Sequence, residues 1–463
     1  MSLYTRLVSG LLFPLHEALK GHRTVAVRRW MEATQWWDQE RLRALQLERL
    51  RALLRRAWEQ VPYYRPLLEE AGLEGGRIER LEDLARLPFL TKTVIRERFA
   101  ALRARDARGL RTFNTGGSTG EPLQFLIGTE RVSHDVAAKW RATRWWGVDV
   151  GDREAVVWGS PIELGAQDRI RAMRDAVLRT RLYPAFEMSE ARMDAYLEAL
   201  RRQRPAMVFG YPSSIELLAA HARRRGVRLD DVGVRVVFTT AETLYPHQRE
   251  AIAEAFGCPV ANGYGGRDSG FIAHECPEGG MHLTAEDIVL ELVDAEGRAV
   301  PLGEPGEVVV THLATGDFPF VRYRTGDVAV LGTGPCPCGR GLPVLKEVQG
   351  RTTDFIVARD GTVMHALALI YVLRELPGVA SFRIVQESLD RTVVEVVPGE
   401  GYGESVRGRI REGIAARLGE GVEVVVREVA AIPRTRSGKH RYVESRVGGF
   451  GHGRPHPPQP SSP

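Results

Sequence analysis

Between residues 153 and 264 short apolar runs alternate with helical patterns, and nothing else in the chain restricts its fold as strongly. The runs are Glu154–Trp158, Ala206–Phe209, Val234–Thr239 and Pro259–Asn262, with helices expected over Ser213–Arg225 and Pro246–Phe256. Strands separated by helix-length connections pair in parallel through crossovers, so this stretch predicts a parallel α/β sheet. Such a sheet takes its ligands beyond the carboxyl ends of its strands.

After residue 280 the pattern becomes strand and turn: Ile288–Val293, a turn at Ala295–Gly297, then Glu307–Thr311 and Val328–Leu331. A β-rich subdomain is expected there. From Asp354 a new order begins, with strand Phe355–Ala358, helix His365–Leu376, strands Ser381–Gln386 and Val393–Val397, helix Glu404–Leu418 and strand Glu423–Arg427. That β-α-β-β-α-β succession predicts a small ferredoxin-like unit. A single core stops growing near ~250–300 residues, so 463 residues must divide. The expected class is α/β: a large N-terminal body (1–351) with parallel α/β sheets and a β-rich subdomain, plus a small ferredoxin-like α+β C-terminal domain (352–446). The tail 447–463 is mostly Gly, Pro, Ser and His, too poor in apolar groups to order itself. Ahead of the sheet, Leu47, Leu50, Leu54 and Ala57 fall at helical spacing within Trp30–Trp58 and predict an amphipathic helix packed on the body. Leu7–Leu15 is apolar but interrupted by Gly10 and Pro14, and far short of the ~20 residues of a membrane span. It reads as a helix docked on the body, with shallow membrane contact as the lesser alternative and no integral span.

The net charge of +5 and pI near 9.1 raise the question of nucleic acid, but the two signs interleave along the chain, and no nucleic-acid partner is expected. Four unevenly placed cysteines make no secreted disulfide framework, which predicts a cytoplasmic protein. Only Lys20, Lys92, Lys139, Lys346 and Lys439 among the 64 basic residues are lysine, so a lysine in a polar loop stands out.

Four segments carry chemistry. In Thr115-Gly116-Gly117-Ser118-Thr119-Gly120 the glycines allow close backbone approach, and hydroxyls and N–H groups suit phosphate oxygens. No Gly-Lys-Ser/Thr follows, so it is not a Walker A loop. Gly263-Tyr264-Gly265-Gly266-Arg267-Asp268 follows the last expected parallel strand: Tyr264 offers a ring to stack on a base, and Asp268 a carboxylate for Mg²⁺ on triphosphate oxygens. Tyr323-Arg324-Thr325-Gly326-Asp327 places a carboxylate where ribose hydroxyls could donate to it, and Gly350-Arg351 adds a planar cation at the domain boundary. Near the end, Pro433-Arg434-Thr435-Arg436-Ser437-Gly438-Lys439 sets a mobile ammonium on a loop, suited to charge on an α-phosphate and an attacking carboxylate. Each segment alone is also compatible with a plain polar turn.

In this order and spacing the segments resemble the adenylate-forming superfamily of acyl-CoA synthetases, and specifically its phenylacetate-CoA ligase and CapK-like branch, from about residue 30 to 446. The resemblance implies a body that binds ATP, Mg²⁺ and a carboxylic acid, and a small domain that rotates between adenylation and transfer to coenzyme A. By the match, Thr115 to Gly120 hold phosphate, Tyr264 and Gly265 lie beside adenine, Asp327 and Arg351 bind ribose, and Lys439 and Asp268 serve adenylation. The chain departs from the family where Thr-Glu is usual and Arg267-Asp268 stands, and at the hinge position, which is Thr353 with Asp354 next. Tyr211, Pro212, Phe238, Thr240, Ala241 and Glu242 end two expected parallel strands and are the candidate walls of an acid pocket, an aryl acid being the family's commonest suggestion. The rivals are an adenylyltransferase that ignores coenzyme A or passes the acyl group to an amine or carrier protein, and a non-catalytic nucleotide-binding scaffold. A homodimer is compatible with the sequence.

Cys276, His282, Cys336 and Cys338 supply the four N/S ligands of a closed structural Zn²⁺ site, and some members of the resembled branch carry a similar arrangement. His274 is the rival fourth ligand, and Cys258 is expected in the core.

Overall fold

The computed structural model describes residues 2–115, 123–159, 168–185, 188–242, 244–294, 296–349, 355–365, 367–374, 376–432 and 443–447. An eleven-stranded sheet organises the body. Its hydrogen-bonded order is Ile288–Val293, Pro305–His312, Tyr323–Leu331, Val344–Gln349, Met281–Leu283, Gly270–Glu275, Val260–Gly266, Val236–Thr240, Met207–Gly210, Glu154–Trp158 and Thr180–Pro184. The pairs from Thr180–Pro184 to Val260–Gly266 are parallel, and all the others antiparallel. The β-rich subdomain therefore continues the same sheet, with Val260–Gly266 as the seam: parallel to one neighbour, antiparallel to the other.

The parallel strands are buried on both faces, and their side chains alternate between two cores as the strand period requires. Val157, Val208 and Val237 meet Ile215 and Leu218 of the helix Pro212–Arg224. Phe209, Val236, Phe238 and Ala261 meet Ala142 of the helix Thr129–Trp145. Each such buried Val, Ile, Leu or Phe side chain contributes roughly 1.5–3 kcal/mol. The helix Pro246–Phe256 begins with proline at its first turn, has Gln248 accepting from the Tyr245 N–H (3.1 Å), and ends at Gly257 with φ 61°. Thr180–Pro184, an edge strand the sequence pattern does not announce, pairs with Glu154–Trp158.

The Leu-rich segment forms two helices, Thr24–Thr34 and Gln39–Gln60, the second capped by Asp38, whose carboxylate accepts from the Arg41 N–H (2.7 Å). Leu50, Leu54 and Ala57 are buried, and Leu47 packs partly buried against them. The opening helix runs through Leu3–Leu7, a π-helical turn Val8–Leu12 and Phe13–Leu19, and docks with Val8 and Phe13 against Trp140 and Val150. No described helix is long and apolar enough to cross a membrane.

Toward the end of the chain lies a four-stranded sheet in the order Glu423–Glu428, Arg391–Pro398, Val379–Ser388, Val443–Ser445, with the helices Leu367–Arg374 and Glu404–Leu418 sharing its core. The class is as expected, but the strand membership differs. Phe355–Val357 pairs with Val363–His365 in its own hairpin, and Val443–Ser445 fills the remaining edge. The side chain of Gln386 explains how the hairpin is still tied in: it accepts from the Val357 N–H (3.1 Å) and donates to the Val357 carbonyl (2.5 Å). A side-chain amide thus replaces a strand pair.

Candidate active site

The seam strand ends in a tight hairpin. Gly265 cannot be larger, since a Cβ there would sit 2.2 Å from the Gly270 carbonyl, and the register shifts between Tyr264 and Gly265. The resulting turn presents Asp268. Its Oδ1 accepts from the Ser269 N–H (3.1 Å) and its Oδ2 from the hydroxyl of Tyr323 (2.5 Å). In return Tyr264 donates to Asp327 Oδ2 (3.1 Å), which follows Gly326 at φ 81°. Two tyrosine–aspartate pairs therefore cross between two segments more than fifty residues apart, each segment giving one tyrosine and one carboxylate.

Beneath the turn, the buried guanidinium of Arg131 donates to the carbonyls of Arg267 and Asp268 (3.1 Å each) and pairs with Asp135 (3.1 Å). Burial alone would raise Asp135, but Arg131 and His312 hold it below the usual carboxylate value. Arg267 reaches the carbonyl of Asn114 (3.3 Å), immediately before Thr115. Thr115 closes the base of its loop, its N–H donating to the Leu123 carbonyl (3.0 Å) and its hydroxyl accepting from the Leu123 N–H (2.9 Å). Three of the sequence motifs thereby meet at the carboxyl edge of the parallel strands. Gly116, Gly117, Ser118, Thr119, Gly120, Arg351 and Lys439 lie outside the described residues, as do Thr353 and Asp354.

The expected acid-pocket residues are placed unequally. Tyr211 stacks on Trp158 (4.3 Å between centroids, 21° between planes), and burial, then the charge of Glu242, pushes its phenol well above the ordinary value. Glu242 accepts from the Ser213 hydroxyl, and Ala241 holds φ 71°, an uncommon conformation for a residue with a Cβ. Thr240 is in register with Gly263. Phe238 lies deeper: it is buried between Phe209 (6.0 Å) and His274 (5.9 Å), under Gly263, where a Cβ would come within 2.9 Å of its ring. Sequence reasoning missed Arg131, which has no local signal. It also missed Trp158, although that residue ends an expected strand just as Tyr211 follows one.

A second cluster sits in the antiparallel half. The ligand atoms of Cys276, His282, Cys336 and Cys338 lie within 4.8 Å of one another, with Cys276 Sγ 3.6 Å from Cys336 Sγ and His282 Nε2 3.1 Å from Cys338 Sγ. A tetrahedral zinc with ~2.3 Å bonds to sulfur separates two thiolates by roughly 3.8 Å, so the donor set fits the ion. Gly280 leaves room for it, since a Cβ there would come 2.5 Å from Cys336 Sγ. His282 Nδ1 lies 3.2 Å from the Leu342 carbonyl, which turns Nε2 toward the thiols. Burial lowers His282 to about 4, keeping the imidazole neutral as a ligand must be. His274 is not part of the cluster: it is sandwiched by Phe271 and the edge of Phe238. Cys258 is half-buried against the body core, its thiol pushed up to about 12 by burial.

Residues 113–315 match the family model for AMP-binding enzymes, and residues 356–446 the model for the CapK C-terminal domain. Phenylacetate-coenzyme A ligase of Thermus thermophilus is 28% identical over 439 residues, covering 87% of this chain and 96% of the relative. Protein CapK of Staphylococcus aureus is 23% identical over 396 residues, covering 83% and 85%. Among solved structures, 2-hydroxyisobutyryl-CoA ligase with its acyl-adenylate and CoA, in the thioesterification state, superposes with a TM-score of 0.64 at 26% identity over 90% of this chain and 92% of that one. The chain thus carries an AMP-binding enzyme domain followed by a CapK C-terminal domain, and along most of its length it is similar to phenylacetate-coenzyme A ligases and to protein CapK.

Proposed function

We propose that the protein joins a carboxylic acid to coenzyme A at the expense of ATP, in two steps. A carboxylate oxygen attacks the α-phosphorus, and the bond to pyrophosphate breaks. The sulfur of coenzyme A then attacks the acyl carbonyl, the carbon–sulfur bond forms, the thiol proton is lost and AMP leaves with its oxygen. The crossed Tyr264–Asp327 and Tyr323–Asp268 pairs carry this reading: with the Arg267 contact to Asn114 they gather a ring, two carboxylates and the base of a glycine loop at strand ends of the kind where α/β sheets take ligands.

In this reading Thr115 through Gly120 cradle phosphate, Tyr264 and Gly265 flank adenine, Asp327 and Arg351 take the ribose hydroxyls, and Lys439 neutralises charge in the first step. Asp268 would hold Mg²⁺, which is commonly bound by one or two carboxylates together with substrate phosphates and supplies positive charge there. The small domain, 352–446, would carry Lys439 in and out. Its Tyr371 already lies within electrostatic reach of Tyr211 in the body. The stacked Trp158 and Tyr211, with Thr240, Ala241 and Glu242 beside them, favour a flat aryl acid, and Phe238 forms the floor below. Zinc at Cys276, His282, Cys336 and Cys338 would be structural, since four protein ligands leave no open position.

The test is acid-dependent pyrophosphate release across a library of aryl and alkyl acids, with and without coenzyme A. An aryl acid giving an acyl-CoA product supports the reading. Acid-dependent AMP formation indifferent to coenzyme A would overturn the thioester step and favour an amine or carrier-protein acceptor.

A further inference from the structure

The opening helix seats Val8 and Phe13 on the body, yet it buries polar groups beside them and leaves a row of leucines outside. Polar groups face the body: Thr5 donates to Asp152 (2.8 Å), and the buried Glu17 accepts from Thr24 and lies 3.2 Å from His22. Leu3, Leu7, Leu11, Leu15 and Leu19 face outward, between 47% and 84% exposed. A row at every fourth position drifts roughly 40° per step around an α-helix. The π turn Val8–Leu12 fits more residues into its turn and rotates the row back, which keeps the five leucines on one side.

Beside them lies the helix Asp168–Leu178, brought close by the Tyr4 hydroxyl donating to the Val177 carbonyl (2.9 Å), and its Met173 and Val177 are exposed as well. Seven of the eleven exposed large hydrophobic residues among those described are thus gathered in one place, which single scattered exposures would not produce. The rim is cationic. Arg6 and Lys20 are exposed on the helix, Arg111 acts electrostatically on Lys20, and Arg179 lies over the Tyr4 ring at 3.6 Å. Of the acids nearby among the described residues, Glu17 is engaged inside and Asp175 is paired with Arg174 (2.6 Å).

We propose that this face docks on the surface of an anionic lipid bilayer, the leucines entering the boundary between headgroups and acyl chains and the rim cations meeting headgroup phosphates. A second copy of the chain is the poorer occupant. Two-fold pairing sets a patch against itself and would bring like charges together, whereas an anionic surface accepts leucines and cations at once. The inference is independent of the acyl-activation reading and does not stand or fall with it.

Flotation of the full chain with phosphatidylcholine vesicles, with and without phosphatidylglycerol, tests it. The chain should float with the phosphatidylglycerol vesicles, less so in high salt, and about tenfold more weakly when Leu7→Gln, Leu11→Gln and Leu15→Gln are combined, with unchanged melting temperature. Absence of flotation with anionic vesicles would overturn the proposal, as would a triple variant that floats as well as the parent. A dimer seen by light scattering, lost in the variant and unaccompanied by vesicle binding, would overturn it in favour of self-pairing.

Discussion

The crossed tyrosine–aspartate pairs and the cysteine–histidine cluster stand in the same sheet, a few strands apart, and differ in how they meet solvent. Asp268, Asp327 and Tyr264 are half-exposed, at the end of a seam where strand direction reverses. Cys276 and His282 are fully buried, Cys336 is nearly so, and Cys338 is partly buried. The first arrangement holds carboxylates in position while leaving them reachable by a ligand. The second turns its four donors on one another around a single point. Chemistry is expected from the one and stability from the other, and substitutions should separate the two.

The largest effect is expected from Lys439→Ala. Removing a charged donor aimed at a developing negative charge costs about 10²–10³ in rate, and here that loss should fall on pyrophosphate release while thioester formation from supplied acyl-adenylate is largely spared. Equal losses in both half-reactions would break the division of labour assigned to the small domain. Next comes Cys336→Ser, which should remove bound zinc, measured by elemental analysis, and lower the melting temperature by several degrees, with turnover per folded molecule unchanged. A parent protein devoid of metal, or a variant as stable as the parent, would erase the contrast between the two clusters.

Much of the fold was legible because local signals agreed. Glu154–Trp158, Ile288–Val293 and Pro246–Phe256 fall where periodicity, a leading proline and a trailing glycine put them. Thr180–Pro184 was hidden because an edge strand need not be apolar throughout; its second residue, Arg181, is exposed. The opening hairpin of the small domain was misjudged because the glutamine that holds it, Gln386, reads in sequence as an ordinary strand residue. At the site, the types of Tyr264, Asp268 and Asp327 were readable, but not that each tyrosine serves the other segment's aspartate, since pairing across 63 and 55 residues leaves no periodic trace. His274 stands as a rival to His282 in the sequence, and its packing against Phe271 and Phe238 removes it.

The smallest effects should distinguish the two crossed pairs. Tyr323 is fully buried and its hydroxyl reaches Asp268 at 2.5 Å, so Tyr323→Phe withdraws a close donor from the tyrosine's side, where water has no room to replace it. A hydrogen bond to a charged group contributes about 1.5–3 kcal/mol, which sets the loss in adenylation at roughly tenfold or more, seen as weaker use of MgATP. Tyr264 is half-exposed and its bond to Asp327 is longer, 3.1 Å, so water can replace the hydroxyl after Tyr264→Phe while the ring remains for adenine. A loss of about threefold or less is expected there. Steady-state measurement of pyrophosphate release against ATP concentration checks both. A larger defect in Tyr264→Phe than in Tyr323→Phe would mean that the exposed pair, rather than the buried one, fixes the geometry of the carboxylates.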